Sequence, residues 1–177
     1  MTRAEAEDRT ILRSVVGSTV HGLHVEDGIE DRDELGVVIE DIEDAIGFSE
    51  FEQFIYRSAA EREGRHDAPS TAGDLDLVLY SLRKFCRLAL KGNPTILLLL
   101  FAPPVFASAK GAQLIELAPA IVSRKAGGAF LGYLSAQRQR LLGERGQKNV
   151  NRQELVDRFG FDTKYAMHML RLGMQGV

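Results

Sequence analysis

At Tyr80 the hydrophobic pattern changes period, and that change most constrains the fold. Upstream, short apolar runs recur between turn residues: Ile11-Leu12-Arg13-Ser14-Val15-Val16, Leu35-Gly36-Val37-Val38-Ile39 and Leu77-Val78-Leu79-Tyr80. Runs of this length, bounded by turn signals, predict strands. Downstream, Leu82, Phe85, Leu88 and Ala89 repeat at about 3.6 residues and form one helical face, with Arg83, Lys84, Arg87 and Lys91 elsewhere. Lys91-Gly92-Asn93-Pro94 then stops that helix: a cation in the last turn, glycine just beyond, and proline after it. The expected fold class is therefore α+β. A small mixed sheet over residues 1–80 precedes a helical lobe over 81–177, and the two can form one compact unit.

Within that frame, residues 1–9 read as a frayed helix or tail, and strands are expected over about 10–16 and 33–40. Gly17-Ser18 should open a short helix ending near Gly22, followed by an acidic loop over residues 24–32. The run Phe51-Glu52-Gln53-Phe54-Ile55-Tyr56 suits strand or helix equally. Residues 59–73 carry Gly64, Pro69, Ser70, Thr71 and Gly73 among many charges, and are expected to form a mobile loop. A buried helix is predicted over about 95–101, with further helices near 108–117, 125–142, 151–159 and 162–172.

Composition limits the function classes. At 177 residues, with 45% apolar and 27% charged content, the chain can bury one good core. The longest apolar stretch, Thr95 to Phe106, is interrupted by Pro103-Pro104 and is too short to span a bilayer, so no membrane partner is expected. The polar, acidic first residues predict no signal peptide, and the single Cys86 allows no intramolecular disulfide. Cys86 is expected to pack as a small apolar residue on a helix, and a cytoplasmic setting fits. Charge is strongly asymmetric. Residues 1–76 hold 20 acids against 7 Lys and Arg, a net of −13, whereas residues 77–177 hold 5 against 15, a net of +10. The basic half can meet polyanions such as triphosphate or RNA, or attract the acidic half; both readings stand.

The chemistry-bearing residues gather at strand edges. Gly17 can take backbone angles closed to other residues and lets the chain approach a phosphate, while Ser18 adds a hydroxyl donor. Asp31 and Asp33, two apart, share a face if they lie on a strand. Asp74 and Asp76 repeat that spacing before the third strand. Acids beside short apolar strands are costly without a counter-ion, and a few carboxylates plus substrate phosphates are the ordinary shell of Mg²⁺. His21 and His24 lack a third ligand for zinc, and His66 falls in the expected loop. Lys164, His168 and Arg171, spaced four and three apart, suggest a basic helical face towards substrate, or equally a solvated face.

Gly17-Ser18-Thr19-Val20-His21-Gly22 followed by Asp31-Arg32-Asp33-Glu34-Leu35-Gly36-Val37 resembles the signature of nucleotidyltransferases in the DNA polymerase β superfamily. Within that superfamily it most resembles the RNA-repair-pathway nucleotidyltransferase family, common in bacteria and phages. Asp76-Leu77-Val78-Leu79-Tyr80-Ser81-Leu82-Arg83-Lys84-Phe85, the segment Ala89 to Pro94, and Asp162 to His168 followed by Leu170-Arg171-Leu172 extend the likeness over nearly the whole chain. The resemblance implies a minimal nucleotidyltransferase sheet, two Mg²⁺ ions (or Mn²⁺), and transfer of a nucleoside monophosphate from an NTP such as ATP to an acceptor hydroxyl. It implies that Gly17 and Ser18 hold the triphosphate and that Asp31, Asp33 and Asp76 bind metal and act in catalysis, with Asp74 competing for the third place on strand parity. His21 stands where an aromatic or apolar residue is common, and the chain stops just after its final helix, where further residues are expected. An RNA 3′ end, a protein side chain and a small molecule all suit as acceptor. The rival reading is a non-catalytic nucleotide- or RNA-binding protein on the same fold.

Overall fold

The computed structural model of the chain describes residues 2–17, 20, 32–48, 50–145 and 152–176. Ser18, His21, His24 and Asp31 lie outside the described residues, as do most of those expected to form the short helix after Gly17 and the loop beyond it. The chain divides into two compact units, one of residues 1–89 with 95–121 and the other of residues 90–94 with 122–177.

The first unit is built on a five-stranded sheet of β1 (Thr10–Val16), β2 (Arg32–Val38), β3 (Gln53–Arg57), β4 (Leu75–Ser81) and β5 (Pro104–Ala107). Their order is β3-β4-β2-β1-β5. β2 and β4 pair in parallel and the other neighbours are antiparallel, so the sheet is mixed and the fold α+β as expected. α1 (Arg3–Asp8) precedes the sheet and starts on a capping box: Thr2 Oγ1 accepts from the Glu5 N–H, and the Thr2 N–H donates to the Glu5 carboxylate. Ala6 of α1 is fully buried and packs with Val38, Leu77 and Leu79 on one sheet face, flanked by Phe54, Tyr56 and Leu75. The opposite face carries Leu12, Ser14, Leu35 and Val37. There the Ser14 hydroxyl donates to the Leu99 carbonyl of α5 (Pro94–Phe101), whose Ile96, Leu97, Leu99 and Leu100 are all buried. α4 (Leu82–Ala89) buries Phe85 and Ala89, the apolar face its periodicity predicts. Cys86, however, emerges on the exposed side of α4 instead of packing, because it lies a third of a turn away from that face.

One segment left open between strand and helix is decided, and two further segments differ from expectation. Phe51–Tyr56 resolves into the edge strand β3, since pairing with β4 supplies backbone partners that its short apolar run cannot specify. Residues 59–73 are not one loop. Ser58–Glu63 forms α3, ended by Gly64 at φ +66°, and the remainder is tied down by hydrogen bonds described below. Pro104–Ala107, from the half expected to be helical, becomes β5 on the outer edge of β1, where a proline nitrogen without a proton is tolerated. α2 (Ile42–Ile46), α6 (Ala109–Glu116, capped by Ser108) and α7 (Ala118–Ile121) complete this unit.

The second unit holds α8 (Arg124–Leu141), α9 (Gln153–Phe159) and α10 (Thr163–Gln175). Asp162 caps α10 by accepting from the N–H groups of Lys164 and Tyr165, and its other oxygen accepts from Arg152 at 2.8 Å. Gly92, at φ +71°, lies so close to α8 that a Cβ would fall 2.5 Å from the Ala126 Cα.

Candidate active site

Register, more than any single motif, assembles the site. The antiparallel pairing of β1 with β2 sets Val16 opposite Asp33, and the parallel pairing of β2 with β4 sets Asp33 opposite Asp76. β3 then sets Arg57 opposite Asp76. One row thus crosses four strands at one end of the sheet, with neighbouring strands about 4.8 Å apart. Alternation places Asp33, Asp76 and Arg57 on one face, opposite that of Glu34. Glu34 is a different kind of acid: 3% exposed, it is held between Arg13 at 2.9 Å and Arg32 at 2.5 Å.

Gly17 follows directly on β1 with φ +84°. A Cβ there would fall 2.6 Å from Asp33 Oδ2 and 3.3 Å from the Asp33 Cβ. Only glycine lets the end of β1 lie against that carboxylate.

Asp74 and Asp76 share parity but not surroundings. Asp74 is 5% exposed, and its carboxylate accepts from Arg62 Nη1 at 2.6 Å, Ser58 Oγ at 2.7 Å, the Thr71 N–H at 2.7 Å and Thr71 Oγ1 at 2.9 Å. Arg62 foremost, then the Thr71 N–H and the Ser58 hydroxyl, hold this carboxyl far below the usual carboxylate range. Its oxygens are spent on closing the segment from α3 to β4. Asp76 is partly exposed, and both its oxygens accept from Arg57 Nε at 3.2 Å. Arg57 escaped the sequence reading because nothing local marks it. The signal is its position one residue past the apolar run of β3, which is informative only once the register is known.

Among the described residues no group of three His, Cys, Asp or Glu converges as a metal cluster. Of the expected set, Asp33 and Asp76 come together, while Asp31 and Ser18 lie outside the described residues. The donor chemistry fits a hard divalent cation: two carboxylates are neighbours, and one already draws a guanidinium as counter-charge. Lys164, His168 and Arg171 all lie on α10, in the other unit. Lys164 is exposed, whereas His168 Nδ1 and Arg171 Nε are buried, and burial lowers the Arg171 pKa. The three thus differ in exposure, His168 and Arg171 each being half-buried.

The model of the RNA repair pathway DNA polymerase beta family matches residues 1–177. The chain belongs to this family. Membership points to a nucleotidyltransferase of the polymerase β type, a class that generally uses divalent metals. Among solved structures, the chain is similar to a nucleotidyltransferase-like protein from Exiguobacterium sibiricum, at 10% identity and a TM-score of 0.43. That match covers 96% of this chain and 50% of the other, so the chain spans about half the length of that relative. No curated protein matches the chain. Among the described residues, no helix is long and apolar enough to cross a membrane.

Proposed function

We propose that the chain is a Mg²⁺-dependent nucleotidyltransferase that moves a nucleoside monophosphate from an NTP to the hydroxyl of an RNA end. The observation that carries this reading is the register pairing of Asp33 with Asp76 beside the Gly17 turn. In it Asp31, Asp33 and Asp76 hold the metal, Gly17 and Ser18 admit the triphosphate, and Asp74 serves the fold. Held by these carboxylates, Mg²⁺ or Mn²⁺ (two ions in this reading) would supply charge neutralisation for the triphosphate during transfer. Positioning and electrostatics account for most of the catalysis in such phosphoryl chemistry. An Asp76 carboxylate oxygen accepts the proton of the acceptor hydroxyl as the new P–O bond forms and pyrophosphate leaves. The missing Cβ at Gly17 leaves free the space that the Asp33 carboxylate occupies beside the end of β1. RNA is favoured as acceptor by the family and by the basic balance of residues 77–177. A reducing cytoplasm suits the single exposed cysteine.

The test is incubation with each labelled NTP, Mg²⁺ or Mn²⁺ and a total RNA pool. Label should pass to RNA, cease with a chelator, and fail in Asp33→Asn. NTP binding without any transfer would establish the non-catalytic rival, and label on protein or a small molecule would move the acceptor.

A further inference from the structure

Arg57 joins the candidate site to a loop, and all three of its guanidinium nitrogens are engaged. Nε donates to both Asp76 oxygens at 3.2 Å. Nη1 donates to the His66 carbonyl at 2.8 Å, and Nη2 to the Ala68 carbonyl and Ser70 Oγ at 3.1 Å each. The guanidinium is planar and its N–H directions are fixed, so the position of the loop and the orientation of the carboxylate are set by one rigid group. The far end of the same loop is anchored separately, by Thr71 on Asp74. Residues 66–70 therefore sit between two clamps, one of which is an acid of the site. The loop also borders an open groove of about 720 Å³ lined by Tyr56, Arg57, Gly64, Arg65 and His66, where an incoming molecule can touch it.

We propose that Arg57 is a positioning residue: it sets the Asp76 carboxylate beside Asp33 and makes the metal affinity of that pair depend on the 66–70 loop. The inference rests on the reading of Asp33 and Asp76 as metal ligands. Two other roles are physically distinct. If Arg57 competed with the metal for Asp76, its removal would tighten metal binding. If it only pinned the loop, metal binding would not change. The loop acceptors argue for positioning, because three neutral oxygens hold the guanidinium in place independently of Asp76 and leave the carboxylate to orient against it.

The experiment titrates Mn²⁺ into the full chain and follows loss of the free-ion EPR signal, with a thermal melt of each variant to confirm folding. Groups that orient a metal's ligands typically contribute 10–100-fold to affinity, so Arg57→Gln should weaken Mn²⁺ binding by about that factor. Arg57→Lys keeps a cation near Asp76 but cannot reach both the carboxylate and the loop, and should fall between wild type and Arg57→Gln. Ser70→Ala touches neither acid and, by loosening only the loop side, should weaken binding a few-fold in the same direction. Unchanged or tighter Mn²⁺ binding in a folded Arg57→Gln or Arg57→Lys variant overturns the proposal while leaving the nucleotidyltransferase reading intact. If the wild type bound no Mn²⁺, or bound it equally well as Asp33→Asn, the ligand assignment itself would fall and this proposal with it.

Discussion

Gly17→Ala separates backbone strain from displacement of a site carboxylate. At φ +84° an alanine enters the left-handed region, which costs about 1–2 kcal/mol for an L-residue. For a chain of this size each kcal/mol shifts the melting temperature by about 2–4 °C, so a drop of roughly 2–8 °C is expected from the backbone alone. The steric part is distinct. The new methyl would stand 2.6 Å from Asp33 Oδ2 where ordinary contact begins at 3.4 Å, so the carboxylate must retreat by about 0.8 Å. A carboxylate end can move cheaply, so the fold survives. A misplacement near 1 Å in a reacting constellation costs on the order of 100-fold in rate, and that loss is the prediction. Gly160→Ala is the matched control: φ is +80°, and nothing lies within 4 Å of its added Cβ. Rates of NMP transfer and thermal melts on both variants decide the matter. Both should melt lower by similar amounts, and only Gly17→Ala should lose activity. Gly17→Ala within about three-fold of wild type, or an equal loss in Gly160→Ala, would refute the argument.

Asp33→Asn and Asp76→Asn should each abolish transfer with little change in melting temperature, whereas Asp74→Asn should lower the melting temperature and retain transfer; the reverse pattern would move the site to Asp74. The Asp74 carboxyl is depressed in the folded chain, so the unfolded chain takes up that proton first. Its stabilisation is full above the ordinary carboxylate pKa and is lost as pH falls below it, and Asp74→Asn should flatten the acid limb of a melting-temperature profile below about pH 5. RNA binding should weaken with salt at a log–log slope of roughly −0.7 per neutralised phosphate. Lys164→Glu should flatten that slope, while Arg171→Glu, which puts a charge where Arg171 Nε is buried, should first lower the melting temperature. Salt-independent binding would count against an RNA acceptor.

Local pattern carried much of the architecture. Alternation and turn residues placed β1, β2 and β4 to within two residues at each end, and the 3.6-residue period with its capping residues placed α4, α5, α6, α8, α9 and α10. Both signals act between residues a few positions apart, so they are written in the chain itself. The candidate chemistry was legible in the same way, because glycine at a strand end and acids two apart are facts of residue type and spacing. What the sequence left open depended on distant partners. β3 and β5 became strands only because neighbouring strands offered free edges. Parity could not divide Asp74 from Asp76; the difference came from Arg62, Ser58 and Thr71 gathering around one and Arg57 meeting the other. Lys164, His168 and Arg171 kept their helical spacing, but packing within their unit buried atoms of two of them. Above all, the pairing of Asp33 with Asp76 is a property of parallel register, and register is set by how whole apolar faces match across a sheet. A one-residue slip between β2 and β4 would put the two acids on opposite faces, and only the folded sheet excludes it.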